Sequence, residues 1–150
     1  MATTSATLPQ EAEARMVSQT WLILVGRILF ALIFVLAGLN HFSKQSIGYA
    51  ASQGVPAASV TVPLSGILAV FGGLSILVGY RAKVGAWLIV IFLVPVTLFM
   101  HKFWAVSDPM MAQMQMSMFM KNLSMLGAAL LISQFGAGAL SLDARRHQGT

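Results

Sequence analysis

The chain has no cysteine among its 150 residues. This absence excludes thiol–disulfide exchange, iron–sulfur clusters held by cysteine, and structural zinc bound by thiolates. Any redox chemistry would therefore depend on a bound cofactor or on a partner subunit.

Acidic residues are almost as scarce. The chain has four Asp and Glu in total, none of them between Glu13 and Asp108 or between Asp108 and Asp143. A carboxylate proton relay through a membrane lacks the residues that it would need. Paired-carboxylate catalysis and a carboxylate-bridged dimetal centre are excluded for the same reason.

Apolar residues, in contrast, are abundant. Hydrophobic residues make up 57% of the chain and charged residues only 9%, and four separate apolar runs are long enough to cross a bilayer. We predict an all-α fold, an integral membrane four-helix bundle in contact with the lipid bilayer. The predicted division is a flexible polar N-terminal arm (1–18), a four-span domain (19–140, spans about 21–40, 60–79, 84–100 and 116–135) and a tail (141–150).

The nine Lys and Arg residues sit singly at the ends of the apolar runs, where membrane proteins place their anchors. We therefore predict no nucleic-acid partner. Positive charges are enriched on the cytoplasmic side of membrane proteins, and this rule predicts that both termini are cytoplasmic. The inner side would hold Arg15, Arg81, Lys83, Arg145 and Arg146, and the outer side Lys44 and Lys102.

Polar side chains gather at the outer end of the predicted bundle. A basic, amide-lined vestibule there suits an anion, a lipid phosphate or a carbonyl-bearing ligand such as a quinone. In this hypothesis Lys121 and His101 donate to ligand oxygens and Asn122 orients them. Trp104 would form a flat wall, and Arg27 would hold the cytoplasmic half. The ligand-binding candidates are Lys121, Asn122, His101, Trp104, Arg27 and His41.

Each candidate has a simpler interpretation. Lys121 lies near the start of the fourth span, and its side chain could reach the outer interface unaided. Arg27 could do the same at the inner side, or cap the carbonyls that end a neighbouring helix. His41 and His101 invite a haem or a metal, but no further ligand presents itself, and we predict neither.

Three other features of the spans allow more than one interpretation. The methionines of residues 110–125 resemble a copper path, but their spacing also fits lipid-facing packing. Ser65, Ala69 and Gly73 form a small-residue face on the second span, which could serve a homo-oligomer or packing within the chain. Pro95, near the middle of the third span, predicts a kink or a locally loosened backbone.

The order of several short motifs resembles the DoxX family over about residues 20–145. This resemblance implies a four-helix bundle in the bacterial inner membrane and a link to quinone-coupled oxidation of sulfur compounds or to oxidant defence, as the membrane subunit of a complex. Lys121, Asn122, Arg27 and His101 match the family pattern, whereas the acid that members often carry before the Gly-Gly pair is absent. The motifs are Gly26-Arg27, Gly54-Val55-Pro56, Gly72-Gly73, Arg81-Ala82-Lys83, His101 and Met120 to Leu123.

The leading functional hypothesis is therefore a membrane subunit that binds a quinone and supports a redox complex with a soluble oxidoreductase or sulfurtransferase. A non-catalytic scaffold or assembly factor for soluble partners is the alternative from a different class. A small-solute or anion permease is weaker, because four short helices enclose a path only if the protein oligomerises.

Overall fold

The computed structural model describes residues 10–148, except the side chains of residues 11–16, 147 and 148. Within these residues it is built from helices and contains no strand. Four of the helices are long and apolar enough to cross a membrane, which confirms the predicted all-α, four-span fold. The helices are α1 (Gln10–Asn40), α2 (Lys44–Ser52), α3 (Ala58–Val78), α4 (Ala82–Met100), α5 (Pro109–Phe135) and α6 (Leu142–Gln148), with a 3-10 turn at Phe103–Ala105.

The ends of the helices differ from the predicted boundaries in three places. Residues 10–18 of the predicted arm continue α1 as helix, while residues 1–9 lie outside the described part of the chain. The fourth long helix begins at Pro109, well before the predicted span, because Asp108 accepts a hydrogen bond from the Met111 N–H at 2.8 Å and caps it. The predicted tail contains α6.

Helices α1, α3 and α4 pack closely through glycine. A Cβ on Gly66 would lie 2.8 Å from the carbonyl oxygen of Gly38, and a Cβ on Gly72 would lie 2.9 Å from that of Gly85. A Cβ on Gly73 would lie 2.9 Å from the side chain of Val35 in α1. Ala69 is fully buried. The small-residue face of α3 therefore packs within the chain.

The four long helices follow one another around the bundle, with α3 between α1 and α4, and α4 between α3 and α5. The bundle has two distinct ends. At the Arg27 end, α3 and α5 finish and α4 begins. At the His41 end, α1 and α4 finish, α3 and α5 begin, and the short helix α2 lies across α3 through Ala50, Ala58 and Val62.

Candidate functional site

His41 follows directly after α1 and is half-buried against α3. Its Nδ1 lies 2.8 Å from the Ser65 hydroxyl oxygen, and that hydroxyl lies 2.7 Å from the carbonyl oxygen of Val62. A serine hydroxyl has one hydrogen, which a helical serine commonly donates to the carbonyl of the preceding turn. Ser65 then accepts from the Nδ1–H of His41, and the ring's Nε2 keeps its lone pair.

The surroundings of His41 favour the neutral ring. Burial lowers the pKa of His41 from its ordinary value of 6.5, and a hydrogen bond with the backbone at Val62 opposes that shift in part. The ring of Phe92 lies 5.5 Å away between centroids, and Phe92 in turn meets Phe34 edge-on at 6.1 Å. At neutral pH the site therefore presents an uncharged, firmly oriented imidazole whose Nε2 is a hydrogen-bond acceptor.

A cavity of about 410 Å³ opens beside His41, between α2, α3 and α4. Apolar side chains form most of its wall. Thr61 and Ser65 also line it, but their hydroxyls donate to backbone carbonyls of Pro56 and Val62. The lining also includes the Tyr49 hydroxyl, which has no hydrogen bond within the described part of the chain, and the ring of His41, whose Nδ1 is the nitrogen that contacts Ser65.

Pro95 removes a helical hydrogen bond in the segment of α4 that lines the same cavity. Proline has no N–H, so the carbonyl of Ile91, one turn earlier in α4, loses its ordinary helical donor. Both Ile91 and Pro95 line the cavity. The sequence signalled this locally loosened backbone, but it could not place it opposite His41.

Arg27 lies at the other end of the bundle, 7% exposed. Its Nη1 donates to the carbonyl of Ala137 at 2.6 Å, and its Nη2 donates to that of Leu140 at 2.8 Å. These carbonyls follow the end of α5, so Arg27 closes that end of the chain, which is the capping role that the sequence allowed for it. Its Nε is buried and has no partner among the described residues.

Lys121 and Asn122 are neighbours in sequence that point about 100° apart around α5 and so lie on different faces of it. Lys121 is exposed, and its Nζ lies 3.1 Å from the sulfur of Met118 in the same helix. Asn122 is 5% exposed and faces the bundle. The two side chains therefore do not share a site with each other, and neither lines the cavity beside His41.

His101 and Trp104 also lie away from the cavity lining. Nδ1 of His101 lies 2.9 Å from the side-chain oxygen of Gln115, a contact that ties α4 to α5. Trp104 is 58% exposed and meets the rings of Phe103 and Phe119 edge-on. Of the six residues proposed from the sequence, the structure brings His41 alone to this pocket.

Sequence reasoning missed Ser65, Phe92 and Ile91 as site residues. It indicated Ser65 only as part of a small-residue face, because nothing local pairs this serine with His41. The pairing depends on the close approach of α1 and α3 at Gly38 and Gly66, where a Cβ on Gly66 would also lie 2.8 Å from the Cβ of His41. The described residues contain no cluster of His, Asp and Glu that could hold a metal ion.

Comparison with known proteins places the chain in a family. The SURF4 family model matches residues 1–148. The chain belongs to the SURF4 family. Among curated relatives of this SURF4-family chain is the inner membrane protein YphA of Escherichia coli strain K12, 30% identical over 126 residues, which are 83% of the chain and 89% of the relative. The inner membrane protein YqjF of the same strain is 33% identical over 127 residues, 81% of the chain and 88% of that relative.

The family match corrects the resemblance to the DoxX family. The motifs behind that resemblance were short, and the structure gives them general roles in helical packing. Gly72 and Gly73 allow close contact of α3 with α4 and α1, and Arg81 to Lys83 lie where the short turn after α3 enters α4. Such features recur in membrane bundles and do not distinguish one family from another.

The relatives support the predicted location. Both are named as inner membrane proteins, and this chain has four helices that can cross a membrane. It is accordingly a multi-pass inner-membrane protein. No solved structure matches the chain.

Proposed function

We propose that this inner-membrane protein binds a quinone in its reduced, quinol form, in the cavity between α2, α3 and α4. The observation that carries the proposal is His41, which is held by Ser65 through its Nδ1 and lines a mostly apolar cavity. Ligand sites of this kind combine apolar walls with a few oriented polar groups.

The size and walls of the cavity suit a flat ring with a hydrocarbon tail. About 410 Å³ falls within the range of small-molecule sites. The rings of Phe92, Phe99 and Tyr49 supply aromatic surface. Leu64, Ile91 and Phe99 are exposed at the rim, on faces of α3 and α4 that a bilayer would cover. A quinol could therefore enter from the acyl phase and leave its tail there.

The hydrogen-bonding pattern favours the reduced ligand. A quinone offers two carbonyl acceptors, whereas a quinol offers two hydroxyl donors. Neutral His41 presents an acceptor, and the carbonyl of Ile91, without its helical donor, is a second one. Donors pair with acceptors, so the quinol can use both of these groups, whereas the Tyr49 hydroxyl of the same lining can accept from a quinol or donate to a quinone.

The redox step itself would take place on a partner. The chain has no cysteine and no internal redox group, so it would present or store the quinol for a soluble oxidoreductase or sulfurtransferase. Lys121, Asn122, His101 and Trp104 take no part in this site, because none of them lines the cavity.

The test is quinol binding to purified protein in lipid nanodiscs, measured by isothermal titration with a short-chain quinol under reducing conditions. Loss of one hydrogen bond is worth about 1.5 kcal/mol, so His41→Ala should weaken binding about tenfold. Ser65→Ala should weaken it less, because the ring remains but loses its orientation.

His101→Ala is the matched control, since it removes a histidine from the same end without touching the cavity. It should bind quinol as the wild type does, and so should Lys121→Ala. Equal affinity of wild type and His41→Ala, with both proteins folded by circular dichroism, would refute the proposal.

A further inference from the structure

We propose that a second site, a cleft between α1 and α5 at the Arg27 end, binds an anionic phospholipid. This cleft has a volume of about 240 Å³ and lies between Ile23 to Phe30 of α1 and Ala128 to Ala137 at the end of α5. It is separate from the cavity beside His41, with which it shares no lining residue.

The cleft is an opening between α1 and α5, in contrast to the close glycine contacts between α1, α3 and α4. At Gly38, Gly66 and Gly72 an added Cβ would come within 3.0 Å of a neighbouring helix, but at Gly26 it would meet nothing within 4 Å. Gly26 lines the cleft together with apolar side chains such as Phe30 and Leu131. An acyl chain can fill a gap of this kind, since lipid tails are as apolar as its walls.

Positive charge lies at the mouth of the cleft. The Cε of Lys83 is 3.7 Å from the position that a Cβ on Gly136 would take, and Gly136 lines the cleft. The nearby acid, Asp143, already accepts hydrogen bonds from the backbone N–H groups of Arg81 and Ala82. The Lys83 ammonium is therefore available to a phosphate. Basic pockets between membrane helices bind anionic headgroups in this way.

Arg27 supplies a second polar feature at the inner wall. Two of its nitrogens bond the carbonyls of Ala137 and Leu140, yet its Nε–H is buried without an acceptor in the described part of the chain. Such a donor favours an oxygen nearby. That nitrogen has no exposed surface, so the polar contact with the phospholipid is assigned to Lys83.

The charges also favour a lipid over a second copy of the chain. Two copies in one membrane would bring their Arg27 ends together at the same depth, and each end carries exposed Arg81 and Lys83. Like charges at close range repel each other. An anionic lipid, in contrast, complements them.

The experiment is native mass spectrometry of full-length protein released from vesicles of phosphatidylglycerol and phosphatidylcholine mixed in equal parts. Lys83→Gln should reduce the retained phosphatidylglycerol about fivefold, the effect expected for one cation near a headgroup. Lys121→Gln removes an exposed cation elsewhere on the chain and should leave retention unchanged.

Two glycines give a matched steric pair. Gly26 and Gly127 both lie in helices where an added Cβ would meet nothing within 4 Å, but only Gly26 lines the cleft. Gly26→Leu should abolish selective retention of phosphatidylglycerol, and Gly127→Leu should preserve it. Loss in both variants, or in neither, would overturn the proposal.

Two further readouts distinguish lipid binding in the cleft from self-association and from binding in the cavity beside His41. A change in oligomeric mass for Gly26→Leu, with lipid retention unchanged, would mean that the cleft holds a second copy and would overturn the lipid assignment. Quinol binding in the nanodisc assay should be the same for Gly26→Leu and wild type, so failure of one proposal does not entail failure of the other.

Discussion

The two ends of the bundle use similar polar residues for different purposes. At the Arg27 end, the segment after α5 folds back across the bundle, and polar side chains bond backbone groups both of this segment and of the start of α4. Arg27 bonds the carbonyls of Ala137 and Leu140, and Asp143 accepts from the N–H groups that begin α4. At the His41 end, α2 covers the bundle but leaves a cavity, and the His41 ring keeps a free nitrogen.

The difference shows that a polar residue near a membrane helix end becomes structural when backbone is close enough to accept its bonds. Arg27 has such backbone, supplied by the chain's own turn after α5. His41 contacts Ser65 and Phe92 and also lines a cavity. Three experiments can sharpen or break this contrast.

The largest effect is expected for Arg27→Met. It removes two charge-assisted hydrogen bonds and leaves two carbonyls without donors, which should lower the free energy of unfolding by about 3 kcal/mol. The measurement is thermal or denaturant unfolding in detergent micelles, followed by circular dichroism.

Arg27→Lys is the control, because an ammonium can satisfy one of the carbonyls but not both in the fixed fork of a guanidinium. It should lose about half as much stability. If Arg27→Met were as stable as the wild type, the Arg27 end of the bundle would not depend on the hydrogen bonds of this side chain. The contrast between the two ends would then fail.

The next effect concerns glycine contacts. Gly66→Ala would place a Cβ 2.8 Å from the Gly38 carbonyl oxygen and from the Cβ of His41. Moving α1 away should cost about 2 kcal/mol, in the range for overpacked sites. It should also weaken quinol binding, since His41 would move with α1.

Gly26→Ala is the comparison, because its Cβ would meet nothing within 4 Å. Alanine is the better helix former, so this variant should be about 0.5 kcal/mol more stable than the wild type. The same unfolding assay measures both variants. Equal loss of stability in Gly66→Ala and Gly26→Ala would mean that the contact between α1 and α3 is packed no more tightly than the cleft beside Gly26.

The smallest effect is a pH dependence at the His41 end. Burial lowers the pKa of His41 below its ordinary 6.5, so protons bind the unfolded state more readily than the folded state. The stability that follows from this is present above about pH 6.5 and is lost as the pH falls through the lower pKa of the folded protein.

The check is the melting temperature of wild type and His41→Gln between about pH 7.5 and about pH 5, the range in which histidine titrates. Glutamine keeps a polar group but does not titrate, so the wild type should lose more stability on acidification than the variant. Parallel curves would show that His41 is as hydrated in the folded protein as in the unfolded one.

Much of the architecture could be predicted from local sequence. The length of four apolar runs indicated four spans, because an isolated backbone in lipid must satisfy its hydrogen bonds as helix. The start of the fourth long helix was not predicted, because the expected span began at about residue 116, whereas the structure begins α5 at Pro109 after the Asp108 cap. The family could not be assigned from motifs, because short glycine and basic motifs describe membrane packing in general.

The candidate site was predicted only in part. Arg27 and His41 stood out because a charge or an imidazole near a span is costly and needs a partner. Lys121 stood out for the same reason, but the side of α5 on which it lies depends on how that helix is rotated. In the structure Asn122 faces the bundle and Lys121 does not.

By itself, the sequence determined that this protein crosses a membrane four times and that no thiol or carboxylate chemistry runs inside it, since those conclusions depend only on residue type and run length. The tertiary structure decided which polar groups are already bonded and which are free. Whether Arg27 meets the carbonyls after α5, and whether His41 meets Ser65 beside a cavity, depends on the rotation and close approach of helices far apart in the chain. Those contacts arise from packing around glycine and cannot be read from either residue alone.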